Sequence, residues 1–298
     1  MGDTCVYPLE YADADPWKAG GRLDPCTSRP GEEKIMTTAQ KNSPWTPSTG
    51  RPNYIGHRAK VGVILPSTNT AVEYDLQQLS VPGVTWHPSR FWVESPVLDC
   101  DEAFLYFLDL IRKEIPLSIR DVLTCKPTHI MMGMSAETFW GGVEGNKAFQ
   151  DRVVEQIGDL GLTTGANACS DALELFGAKS IAVLTPYQEI GDKQVEAYFT
   201  QLGYDVKNVI GLRCDSATSI AETPEDDVIA AVRELDGAGV DAILQVGTNL
   251  STMDLFPVLE KWLQKPCLPI NVITAWSALR NSDVRDKFDG KGWLLEHF

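Results

Sequence analysis

Positive charge is in short supply in this chain. Lys and Arg number 26 against 41 Asp and Glu in 298 residues, a formal net charge of −15, and no basic stripe overrides that balance locally. Nucleic acid and acidic membranes are therefore excluded as expected partners. Histidine is scarcer still, with His57, His87, His129 and His297. None stands at ligand spacing from another His or Cys, so no metal site is expected. The cysteines Cys5, Cys26, Cys100, Cys125, Cys169, Cys214 and Cys267 are odd in number, scattered and without a C-x-x-C pair. They read as free thiols in a reducing compartment. No apolar run approaches the roughly 20 residues of a bilayer span. The opening MGDTCVYPLEYADADPW is acidic where a secretory or mitochondrial leader is basic, and Val6 occupies the place where N-myristoylation after Gly2 wants Ser or Thr. A cytoplasmic location is expected.

What the chain does have is an alternation of apolar runs and helical spacing. Its central stretch is Thr128 to Gly142, THIMMGMSAETFWGG, a short buried-strand pattern followed by a turn of small and polar groups. In open parallel sheets, ligands sit beyond the carboxyl ends of strands, so the residues after Met132 are where chemistry is expected. Residues 1–57 are rich in Pro, Gly, Ser and Thr without sustained period, yet carry Tyr7, Tyr11, Trp17, Trp45 and Tyr54. They predict an irregular extension that packs across the globular body or a neighbouring subunit in a structural role.

From Lys60 the pattern predicts strand KVGVILP, a PSTN break capping a helix through Leu79, and an edge strand VTWHPSRFW with an internal Pro. A helix from Asp101 to about Leu123 follows, which Pro116 should kink or split. After the central strand come a helix over 146–160, a strand over 162–166 and a helix over 168–176. The second part predicts strands over 180–185, 206–212, 241–247 and 269–273. Between and after them lie helices over 192–202, 224–235, 253–263 and 276–280.

Two echoes stand out. KVGVILPSTNT is matched by SIAVLTPYQEI about 120 residues on, and THIMMGMSAET by DAILQVGTNLS about 113 residues on. A shared offset points to two copies of a βαβ-rich unit with one site in the cleft between them, the competing reading being that buried parallel strands all look alike. The division expected is 1–57 for the extension, 58–163 with 274–298 for the first α/β half, and 164–273 for the second.

Taken together, VGVILPSTNTAVE, MGMSAETFWGG, IAVLTPY and ILQVGTNLSTMD resemble, in order, the aspartate/glutamate racemase superfamily, in the branch of maleate cis-trans isomerases and arylmalonate decarboxylases. The resemblance covers Arg58 to about Arg280. It implies two Rossmann-like halves with parallel sheets related by a pseudo-two-fold axis, and cofactor-independent chemistry beside a carboxylate. It places Asn69 and Tyr187 at substrate-binding positions, Gly133, Met134 and Ser135 at a carboxylate-binding turn, and Ser216 at the second position of an Asp-Asn pair. Ser135 and Gly247 stand where catalytic cysteines are expected, so both thiol positions are empty.

An enediolate needs donors already aimed at its developing charge. The amides after Gly133 and Gly247, with the hydroxyls of Ser135, Thr248 and Tyr187, are candidates, and Asn249 adjoins them. Against this, the glycines serve only the turns and Ser135 and Thr248 only cap helices. Glu137 is a candidate acid/base if Phe139 and Trp140 raise its pKa, or a first-turn glutamate favoured by the helix dipole. Cys125, Cys169, His87 and His129 read as structural, and GGVEGNK lacks phosphate-loop spacing.

The expected function is a decarboxylase or isomerase acting alpha to a carboxylate of a small mono- or dicarboxylic acid. Decarboxylation fits better because isomerisation in the branch needs the missing nucleophile. The alternatives are a non-catalytic carboxylate binder, and a dehydratase or rearrangement enzyme for a larger natural product, which Phe139 and Trp140 would suit. A homo-oligomer is left open.

Overall fold

The computed structural model describes residues 55–94, 96–98 and 100–298. The extension foreseen over the first residues lies outside them up to residue 54. Uninterrupted aliphatic runs form the inner strands of two sheets, since strands covered on both faces bury both sets of side chains. The first half runs β1 (Ala59–Pro66), α1 (Val72–Gln78), β2 (Val84–Phe91), α2 (Asp101–Leu123), β3 (His129–Met132), α3 (Ala136–Phe139), α4 (Gly142–Ile157) and β4 (Gly161–Thr163). Helix α5 (Gly165–Phe176) leads to β5 (Ser180–Thr185), α6 (Glu189–Gln201), β6 (Asp205–Gly211), α7 (Glu225–Leu235), β7 (Ala242–Gln245), α8 (Phe256–Leu263) and β8 (Cys267–Pro269). Helix α9 (Ile270–Asn281) and α10 (Trp293–His297) end the described chain.

The sheets repeat one topology. Both are four-stranded and parallel, ordered β2-β1-β3-β4 and β6-β5-β7-β8. The central strands β3 and β7 are buried at every position, and their carboxyl ends lead into the two echoed turns. The Pro-containing β2 is an edge strand, where a missing N–H leaves no inner ladder broken. The largest apolar cluster runs through both halves, joining Val61 and Ile130 to Leu173, Val183 and Ile273.

Three expectations are corrected. Helix α2 is continuous through Pro116; Ile111, Ile115 and Ile119 are buried on its inner face, and packing offsets one lost hydrogen bond. The strand foreseen over 269–273 ends at Pro269, and α9 starts at Ile270. Every residue from Ile270 to Arg280 is buried, so no polar face marks the helical period. That helix packs on β3, β4, α1 and α5. Finally, α3 and α10 are short helices that the periodicity does not signal.

Candidate active site

Four strand ends converge between the halves. Pro66 ends β1 and Thr68 and Asn69 follow it, Met134 to Ala136 follow β3, Pro186 and Tyr187 follow β5, and Gly247 to Asn249 follow β7; together they line a cavity of about 60 Å³. Phe107 and Ile111 of α2 and Ala217 and Ile220 of the loop after β6 complete the wall. Among the described residues no charged side chain lines it.

The polar contacts cross from one half to the other in both directions. Ser135 Oγ and Tyr187 OH share a buried hydrogen bond of 2.6 Å. The Thr248 amide donates to Ser135 Oγ at 3.3 Å, and Asn69 Nδ2 donates to Thr248 Oγ1 at 3.3 Å. Each half therefore sends a side chain from its first strand end to the other half's central turn. Ser135 and Thr248 are separated by 113 residues, the offset of the second echo, so the equivalent residues meet between the halves. Burial pushes the Tyr187 phenol up, with the Ser135 hydrogen bond opposing. The phenol therefore keeps its proton at neutral pH.

Asn69 also organises its own half, since its Oδ1 accepts the Ala71 and Val72 amides at 3.0 and 2.9 Å and so caps the start of α1. Asn249 stitches the halves, accepting from the Thr70 amide at 2.8 Å and donating to Ala217 O at 2.8 Å. Behind Thr248 lies a buried polar cluster. Asn271 Nδ2 donates to Thr248 O at 2.9 Å and to Asp75 Oδ2 at 2.7 Å, while Ser251 Oγ donates to Asp75 Oδ1 at 2.6 Å. Burial pushes the Asp75 carboxyl up to about 6; the Ser251 and Asn271 hydrogen bonds and Lys291 oppose, and Asp254 adds to the rise.

Several sequence-based candidates sit elsewhere. Glu137 does not line the cavity. It is 2 % exposed and pairs with Arg112 Nε at 2.8 Å, with Arg152 Nη2 at 3.6 Å. Burial raises its pKa and Arg112 opposes; the direction is the one foreseen, but the carboxylate serves an ion pair between α2, α3 and α4. Ser216 closes a local turn with Thr218 and Ser219, and Ala217 takes the cavity wall instead. Phe139 packs on Tyr198 and Phe199, and Trp140 on Phe104. Neither ring lines the small cavity, which removes the support for a bulky ligand.

The glycines act through packing. The Gly133 amide donates to Ile64 O at 2.7 Å, so it is spent on the sheet. A Cβ there would lie 3.1 Å from Val63 Cγ1 and 3.2 Å from Ile64 O. A Cβ at Gly247 would lie 2.5 Å from Pro186 Cδ. Both glycines let neighbouring strand ends close, and only Gly247 also lines the cavity. GGVEGNK turns α3 into α4, with Gly141 at φ +77°. None of the described cysteines lines the cavity, and Cys169 is buried with its thiol pushed up by desolvation. His129 is held neutral by burial, its pKa lowered to about 4, against Thr163 Oγ1 at 2.8 Å. Sequence reasoning missed Asp75, Asn271, Phe107 and Ile111; no local motif marks them, because their roles arise from contacts between helices and distant turns.

Among the described residues no group of three or more His, Cys, Asp or Glu is placed to hold a metal ion, and no helix is long and apolar enough to cross a membrane. A larger opening, about 800 Å³, lies between α5, α9 and the last residues. It is remote from the four strand ends and gathers none of the echoed turns.

Comparison with known proteins places this geometry among enzymes. The model of a family described as arylmalonate decarboxylase matches residues 127–295. Maleate isomerase from Nocardia farcinica is 25% identical over 245 residues, covering 79% of this chain and 95% of the relative. Maleate isomerase from Alcaligenes faecalis is 22% identical over 242 residues, covering 79% and 96%. Among solved structures, a serine-for-cysteine mutant of Nocardia farcinica maleate cis-trans isomerase, with a covalently bound succinylcysteine intermediate, superposes with a TM-score of 0.71 at 22% identity, covering 80% of this chain and 98% of that one. Arylmalonate decarboxylase superposes with a TM-score of 0.63 at 18% identity, covering 79% and 98%.

Proposed function

Because the chain belongs to the arylmalonate decarboxylase family, we propose that it is a cofactor-independent decarboxylase of a small malonate-type acid, working through an enediolate. The observation that carries this reading is the Ser135–Tyr187 pair at 2.6 Å with the Thr248 amide on the serine, set in an apolar cavity that, among the described residues, no thiol or charged group lines.

Decarboxylation asks the least of such a site. The C–C bond breaks, CO₂ leaves, and its electron pair stays on the α-carbon as an enediolate of the remaining carboxylate. No base and no nucleophile are needed. The site must bind one carboxylate, hold the developing charge and return one proton. The Thr248 N–H and the hydroxyls of Ser135 and Tyr187 converge as donors, and Asn69 Nδ2 and the Gly247 and Met134 backbone adjoin them. The Tyr187 phenol, kept neutral by burial, supplies the proton to the α-carbon, and solvent reprotonates the phenolate once the product has left. Walls of Phe107, Ile111, Pro66 and Pro186 leave the departing carboxylate without charged partners. Maleate-type isomerisation fits less well, since its covalent route in the relative above runs through a cysteine and none of the described cysteines lines this cavity.

The cavity as it stands has room for a carboxylate rather than a whole substrate, because ligand pockets usually enclose about 300 Å³ or more. Entry therefore parts the Ser135–Tyr187 bond and shifts the loop around Ala217 and Ile220. The test is NMR in D₂O with substituted malonates and maleate. We expect CO₂ loss from a malonate with one deuterium at the α-carbon, and a fall of about 10²- to 10³-fold for Ser135→Ala or Tyr187→Phe. If no acid in the panel loses CO₂ or gains deuterium, while malonate still raises the melting temperature, the protein is a carboxylate binder.

A further inference from the structure

Thr248 is held at every polar atom. Its N–H goes to Ser135 Oγ, its Oγ1 accepts from Asn69, and its carbonyl accepts from Asn271 Nδ2. The first two contacts belong to the site. The third leads away from it, to a carboxylate that catalysis as described does not use: Asp75, 2 % exposed, on α1.

The orientation of the Asn271 amide follows from its neighbours. Thr248 O and Asp75 Oδ2 are both acceptors, so the donor end of the side chain must face them. The other end, Oδ1, is buried and has no hydrogen-bond partner among the described residues. Asp75 keeps the amide turned: ionised, it is an acceptor-only group, matched by donors from Asn271 and Ser251.

We propose that Asp75 and Asn271 are positioning residues that fix the Thr248 backbone at its carbonyl, so that the N–H on the other side of its Cα stays aimed at the Ser135 oxygen and, in turnover, at the substrate carboxylate. The chain of contacts is α1 (Asp75), α9 (Asn271), the turn after β7 (Thr248) and the turn after β3 (Ser135). The Thr248 N–H and carbonyl lie on successive peptide planes joined at its Cα: Gln245 Nε2 and the Leu250 amide hold the first at Gly247 O, at 2.8 and 2.9 Å, and Asn271 holds the second, so releasing Asn271 frees Thr248 to turn about its backbone and take its N–H off Ser135. This deepens the proposed function and rests on it only for the catalytic consequence; the geometric claim stands without it.

The discriminating variant is the exchange Asp75→Asn with Asn271→Asp. The pair across α1 and α9 survives in reverse, since an amide at 75 can donate to a carboxylate at 271 and still accept from Ser251. Thr248 O, however, then faces a carboxylate instead of an NH₂ donor. If the pair merely ties two helices, the exchange restores everything. If it positions Thr248, the exchange restores the fold but not the peptide. We expect the double variant to melt closer to wild type than Asn271→Ala does, the Thr248 amide to exchange with D₂O at least about tenfold faster than in wild type, and malonate turnover to fall by about 10²-fold at a comparable KM. Wild-type amide protection and turnover in the double variant would overturn the proposal. Should wild type show no turnover at all, the decarboxylase reading fails, while the Thr248 exchange rate still decides the positioning claim.

Discussion

The two halves share a strand order and an internal offset, yet they contribute different chemistry. The first supplies a side-chain hydroxyl at its central turn, Ser135; the second supplies a backbone N–H at the equivalent Thr248. From the flanking strands the first sends Asn69 and the second Tyr187. The two halves thus present matching platforms, and small differences at their ends give one a side-chain hydroxyl and the other a backbone N–H at the equivalent place.

The glycines sharpen that contrast most. A methyl group at Gly247 meets the rigid Pro186 ring at 2.5 Å, whereas one at Gly133 meets Val63 at 3.1 Å. Gly247→Ala is expected to cost about 3 kcal/mol in denaturant unfolding and Gly133→Ala about 1 kcal/mol, at the two ends of the range for overpacking. Equal costs would break the claim that the second half closes more tightly around its turn.

Each half also has a buried carboxylate paired with an arginine behind its hydroxyl. Glu137 relies chiefly on Arg112, with Arg152 farther off, and among the described residues its second oxygen has no hydrogen bond. Asp192 has Thr185 on one oxygen and Arg213 on the other. Arg112→Ala should therefore destabilise by about 2 kcal/mol and Arg213→Ala by about 1 kcal/mol or less, read from thermal melts, since a stranded buried acceptor costs about 1–3 kcal/mol and an exposed partner little. A larger loss for Arg213→Ala would reverse the ranking.

A last contrast is in pH dependence. Burial raises Asp75 to about 6 in the first half; it raises Glu260, which accepts the Cys267 and Trp293 amides, to about 7 in the second. A carboxyl whose folded pKa is raised favours the folded state in its protonated form. Its contribution is complete below the unfolded value, near about 4, and is lost as pH rises through about 6 or 7. Relative to wild type, Asp75→Asn should remove the part of the stability curve ending near pH 6, and Glu260→Ala the part ending near pH 7. Urea midpoints from about pH 4 to about pH 8 measure both, and curves of unchanged shape would sink the assignment.

Much of this was legible in the chain. The apolar runs at 60–66, 129–132, 180–185 and 242–245 announce buried strands because both faces of a covered parallel sheet are apolar, and the breaks at Pro66, Gly133, Pro186 and Gly247 announce strand ends. Ser135 and Thr248 lie just after such breaks, while Asn69 and Tyr187 are placed by the family resemblance. Glu137, expected from its nearness to Ser135, and Ser216, expected from the resemblance, face elsewhere, since a position in the chain does not say which way a side chain points. The start of α9 was missed because a helix buried on every side carries no amphipathic signal.

The sequence by itself determined the two-fold repeat, the strand ends and the family, because periodicity, β-branching and turn residues act within a few positions of one another. Only the tertiary structure decided that Ser135 meets Tyr187 and Thr248, that Asp75 and Asn271 stand behind them, and that Glu137 belongs to Arg112. Those pairings depend on how two separately built sheets pack, and contacts between residues far apart in the chain leave no local trace in it.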